Sequence, residues 1–125
     1  MKKWALFFAM TLGALLISGP MLAHHGEANY DTDNLVSVKA KVTSFLFINP
    51  HVQITLERTN DKGEAETWTC EARSPAMLVR SGDWDKNTIK AGDVITAIGF
   101  QSRNGAKILR LKKIVLSNGK ELPDL

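Results

Sequence analysis

Alternation between apolar and polar residues constrains this chain more than any other feature. From Leu35 to Ile48, Val36, Val38, Ala40, Val42, Leu46 and Ile48 share one face, while Ser37, Lys39, Lys41 and Thr43 share the other. A period of two is the signature of a β-strand with one dry side. A strand this long in a small domain must curve across more than one sheet, and Phe45 and Phe47 on the otherwise polar side point to cover or a bend at its far end.

The remaining segments are short. Asn49-Pro50 interrupts the first strand, because proline cannot donate a ladder hydrogen bond. Val52, Ile54 and Leu56 then face inward on a second strand, which leaves His51, Gln53, Thr55 and Glu57 on its wetter face. A polar loop at Thr59 to Gly63 leads to a third strand over Glu64 to Ala72. Ser74-Pro75 reads as an N-cap and first-turn pair for a short helix that ends at Ser81-Gly82, and Trp84 reads as a plug against the core. Val94 to Ile98 and Ala106 to Leu116 supply strands four and five, joined through the hairpin signal Asn104-Gly105, and Asn118-Gly119 turns a short tail. The predicted fold is all-β: a five-stranded OB-type barrel over residues 35–125, with its helix between strands three and four. An open antiparallel sandwich or roll is the rival. The predicted core is Val36, Val38, Val42, Ile54, Leu56, Trp68, Leu78, Trp84, Val94 and Ile98.

Residues 1–23 stand apart. Lys2 and Lys3 precede an uncharged apolar run from Trp4 to Ile17, and Ser18-Gly19-Pro20 breaks that run before Met21-Leu22-Ala23. This is the layout of a secretory signal peptide. Cleavage is expected after Ala23; a cut after Ala28 and an uncleaved anchor are the alternatives. Removal takes two positive charges off the formal +3 of the 125 residues. The product is expected to be periplasmic or secreted, with no transmembrane segment left. Its nearly even charge argues against genomic nucleic acid as a partner. Cys70 is the only cysteine, so no intrachain disulfide can form. Its place beside Trp68 in the alternation makes it a buried thiol, with metal ligation or an intermolecular disulfide as the alternative.

An ordered set of residues also resembles a known family. The set is His24-His25 after the signal, Asn49-Pro50-His51 between two strands, Ser74-Pro75 with Leu78, Gly82 and Trp84, and Lys90-Ala91-Gly92-Asp93 with Gly99. It resembles DUF6152, a family of small exported bacterial proteins of unknown function. Gly26, where such proteins often have Ser, and Asp83, which separates Gly82 from Trp84, depart from the pattern. The resemblance covers nearly all of the exported chain and implies export and a common architecture, with no chemistry attached.

The 3 histidines fall in two places, His24-His25 and His51. In a chain beginning at His24, the α-amine and the imidazole Nδ1 chelate one metal ion. A third nitrogen from His51, with His25 in reserve, completes a set suited to Cu(II). The intervening arm, residues 24–34, reads as flexible and reaches up to about 36 Å. The competing reading leaves the His pair solvated and His51 bonded to its own turn. Met77 reads as helix core.

No phosphate-binding loop, nucleophile elbow or metalloprotease helix is present in the sequence, so an enzyme is not expected. The second functional candidate is a non-enzymatic OB-type face for an envelope glycan, lipid headgroup or protein partner. Phe45, Phe47, Phe100, Arg103, Lys107, Arg110 and Lys112 would form it. A lysine-protected edge strand explains the same charges without any ligand.

Overall fold

The computed structural model describes residues 25–124, and of His25 the backbone alone. The elements are α1 (His25–Ala28), β1 (Tyr30–Leu46), β2 (Gln53–Thr59), β3 (Ala65–Glu71), α2 (Pro75–Arg80), β4 (Val94–Ser102), β5 (Ile108–Val115) and β6 (Glu121–Pro123). β1 pairs antiparallel with both β2 and β4, β2 with β3, and β4 with β5, and a parallel β3–β5 pairing joins the two ends. Five strands thus close into the ring β1-β2-β3-β5-β4, the connectivity of an OB-type domain, with α2 between β3 and β4. The length of β1 has a direct reason: Lys41 to Leu46 pair with β2, whereas Tyr30 to Lys41 pair with β4.

The structure departs from the sequence expectations in several places. β1 begins at Tyr30 rather than Leu35, and α1 precedes it, so residues expected to form a free arm are bonded into the sheet. Tyr30 is registered against Ser102, and the Arg103 N–H donates to the Asn29 carbonyl at 2.8 Å. A bulge between Val42 and Ser44 inserts one residue and inverts the alternation beyond it. Leu46 and Ile48, expected inside, are therefore 44% and 49% exposed, while Phe45 and Phe47 pack against the core. β4 is out of phase by one: Ile95 and Ala97 are buried, Ile98 is half-buried, and Val94 is exposed. The tail beyond Asn118-Gly119 is a sixth strand laid along β5 outside the ring. Ser74 occupies the N-cap position of α2 through its backbone, and its side chain makes no capping bond.

Val38, Val42, Ile54, Leu56, Trp68, Leu78 and Trp84 are buried as expected, joined by Ile89, Leu109, Leu111, Ile114 and Leu122. Full burial of each large apolar side chain contributes about 1.5–3 kcal/mol. Trp84 also donates its indole N–H to the Pro123 carbonyl at 2.9 Å, which ties β6 to the segment after α2.

Candidate functional site

Charged side chains converge where β3 ends alongside β5. Glu71 is in parallel register with Arg110, and the chain past β3 keeps pairing with the start of β2: Ala72 N–H donates to Val52 O at 2.8 Å and Val52 N–H to Arg73 O at 3.0 Å. That pairing fixes Arg73 just beyond the strand end. On β5, Arg110 and Lys112 alternate with buried Leu109 and Leu111, so the period of two turns both cations outward. Phe100 of β4 is in register with Arg110. The turn at Gly119, whose φ of 87° suits glycine, brings β6 back, and Asp124 N–H donates to Lys112 O at 2.8 Å. Tyr30 closes the other side and donates its phenol to Glu71 Oε2 at 3.1 Å.

These residues line a cavity of about 230 Å³, walled by Tyr30, Phe100, Arg73, Arg110, Lys112 and Asp124, with Glu27 and Thr32 at its edge and Leu111 behind. A second cleft of about 290 Å³, lined by Pro50, His51, Ser74 and Met77, meets the first across Arg73 and Arg110. The two adjoin along a basic groove wall formed by Arg73 and Arg110. Among the described residues its ion pairing is loose: Arg73 Nε stands 3.7 Å from Asp124 Oδ1, and Arg110 Nη1 donates to the Ala72 carbonyl at 3.4 Å. Asp124 is 3% exposed. Burial raises its pKa, against the lowering effects of the Arg73 N–H and of the charges of Arg110, Arg73 and Lys112. Burial, and then the charge of Glu71, likewise raise the Tyr30 phenol, which keeps it a donor.

The sequence matches DUF6152, a family of unknown function, over residues 14–109. The chain belongs to that family. The DUF6152 match takes in Tyr30, Arg73 and Phe100 of the groove but stops short of Arg110, Lys112 and Asp124. No curated protein matches the chain. Among the described residues, no helix is long and apolar enough to cross a membrane.

In this DUF6152 protein the residues expected to form one aromatic and basic face are divided. Phe100, Arg110 and Lys112 share the groove. Arg103 lines another cleft, with Asn29 and Asn104, that meets the first cavity only at Tyr30. Phe45 and Phe47 meet at a tilt, centroids 5.8 Å apart and ring planes at 55°, at the end of β1 that pairs with β2 and just beyond it. Lys107 is held by Glu66 at 3.0 Å, and its ammonium lies 5.5 Å from the Trp68 ring centre.

The expected metal donors are only partly in view. His24 and residues 1–23, expected to form a signal peptide, lie outside the described residues, as does the His25 imidazole; the His25 backbone opens α1. His51 is exposed in the second cleft. Beside it stands Met77, which is 47% exposed rather than core. Among the described residues, no three His, Cys, Asp or Glu side chains are grouped to hold a metal. Cys70 is fully buried, and burial pushes its thiol up to about 12.

Tyr30, Arg73 and Asp124 are not among the site residues expected from the sequence. Tyr30 carried a faint signal, since it alternates with Thr32 ahead of Leu35. Asp124 carried none, because its role depends on β6 returning along β5.

Proposed function

We propose that this protein is an exported, non-enzymatic binding module that holds an anionic ligand of the cell envelope in the groove at Arg73, Arg110 and Lys112. The observation behind this reading is the sharing of Arg73 and Arg110 by two adjoining cavities, with no carboxylate among the described residues closer than 3.7 Å to the Arg73 Nε. Guanidinium groups left with free donors beside a cavity favour an anion over a cation. The test is calorimetric titration of the purified protein with D-galacturonate, inorganic phosphate and phosphatidylglycerol vesicles, at low and moderate salt. At least one probe is expected to bind, with affinity falling as salt rises. The pair Arg110→Glu and Lys112→Glu should cost at least ten-fold, and Lys86→Glu, on an exposed loop outside the groove, should cost little. No binding by any probe, or unchanged binding by the double variant, overturns the reading.

A second reading keeps the mature amino terminus as a Cu(II) carrier site built from the His24 amine, the His24 imidazole and His51. It is supported by His51 and Met77, two donors accessible to copper in one cleft. Arg73 and Arg110 in the same cleft oppose a dication there by like-charge repulsion. Titrating Cu(II) into the protein beginning at His24, and into one with an extra residue ahead of it, separates the readings. Equal affinity overturns the amino-terminal chelate.

A further inference from the structure

The geometry points to a carboxylated sugar, a uronic acid unit within a short acidic glycan, as the ligand of this groove; the inference rests on the anion-binding reading above. Among the described residues, the first cavity is lined by three cations, Arg73, Arg110 and Lys112, and by two carboxylates, Glu27 and Asp124, and a third carboxylate, Glu71, accepts the phenol of its wall residue Tyr30, so positive and negative groups are closely matched. A site with carboxylates this close to its cations favours a singly charged anion over a doubly charged one. A phosphate monoester carries about −1.5 to −2 at pH 7 and would bring its excess against Glu27 and Asp124. A carboxylate is planar and singly charged, and it matches the guanidinium fork of Arg73 or Arg110 in two parallel hydrogen bonds.

The rest of the lining selects the remainder of the ligand. Asp124 and Glu27 are acceptors to which sugar hydroxyls can donate. Thr32 at the edge can donate or accept. Phe100 and Tyr30 present aromatic walls whose faces carry negative charge density and attract the polarised C–H face of a pyranose ring. Such a pocket, apolar walls with a few convergent polar groups, fixes orientation as well as composition. At about 230 Å³ the cavity lies below the range of about 300–1,000 Å³ typical of drug-sized ligands, which matches one sugar ring. The adjoining cleft of about 290 Å³ beyond Arg73 and Arg110, with Pro50, His51, Ser74 and Met77, takes the next unit of the chain.

The test compares D-galacturonate, its trimer, the neutral galactose trimer and glucose 6-phosphate on the full exported chain by calorimetry. The acidic trimer is expected to bind at least ten-fold tighter than the monomer, and the neutral trimer at least ten-fold more weakly than the acidic one. Phe100→Ala should weaken the acidic trimer about five-fold or more. Lys112→Gln, at an exposed position where folding is not at risk, should weaken it as well. Tighter binding of glucose 6-phosphate than of galacturonate overturns the sugar-acid assignment and leaves the anion site standing. Equal affinity for the neutral trimer overturns the role of the carboxylate. Absence of binding by all four compounds, together with no response to phosphate or anionic vesicles, overturns the anion site itself.

Discussion

The two ends of the β3–β5 seam carry similar charges and use them differently. At one end Glu66 is saturated: Lys107 Nζ and Arg58 Nε reach it at 3.0 and 2.9 Å, the Trp68 indole N–H donates to it at 3.2 Å, and both cations lie within 6 Å of the Trp68 ring centre. These bonds, Lys107 first and then Arg58 and Trp68, hold the Glu66 carboxyl down at about 2. At the other end Arg73, Arg110 and Lys112 surround Asp124 at longer range, and a cavity lies between them. A cluster whose donors and acceptors are all matched closes the sheet. A cluster whose donors outnumber its close acceptors is open to a ligand.

The largest effect that would break this contrast is expected at the closed end. Trp68→Ala removes a buried aromatic that both cations cover, and should cost about 3–5 kcal/mol and lower the thermal midpoint by more than about 10 °C. A drop of only a few degrees would show that Trp68 is not the keystone of that end. At the open end the balance reverses: Lys112→Glu should change stability by no more than about 0.5 kcal/mol, yet weaken an anionic ligand about ten-fold, or about 1.4 kcal/mol. Calorimetry and a melting curve on the same variant measure both.

Acid sharpens the comparison further. Because the folded Glu66 pKa lies below its ordinary value of 4.5, its stabilisation is complete above that value and is lost as pH falls toward about 2. Glu66→Gln should therefore be less stable than the parent at neutral pH, with the gap closing between pH 4.5 and 2 in urea melts. A gap that persists at pH 2 would mean that the loss is one of packing rather than charge. Asp124 works in the opposite sense, since its raised pKa favours the fold at low pH and costs stability as pH rises through the folded value.

The smallest effect belongs to the middle of the seam, where Cys70 pairs in register with Leu109. Its thiol, pushed up to about 12 by burial, should resist a maleimide at pH 7.5 in the native protein and react fully in denaturant. Rapid native labelling would show that the seam opens locally between its two charged ends.

Local pattern alone determined much of this protein. The alternation Val38-Ala40-Val42 and Val52-Ile54-Leu56, the turn residues at Gly63 and Gly105, and Ser74-Pro75 ahead of a short helix each reflect a rule that operates within a few residues. They therefore led to the all-β class, the element order and most of the core. Three features depended on partners distant in sequence. The bulge between Val42 and Ser44 falls where β1 changes partner from β4 to β2, and its extra residue turns Phe45 inward and Leu46 outward. The phase of β4 was set by its pairing with β1 and β5 rather than by its own run of Val94 to Ile98, which is apolar on both faces. The groove is the clearest case: Tyr30, Arg73, Arg110 and Asp124 come from four separate segments, and only closure of the ring and the return of β6 bring them together. Sequence periodicity records which face of a strand is dry, whereas the meeting of charges across a seam is decided by which strands become neighbours.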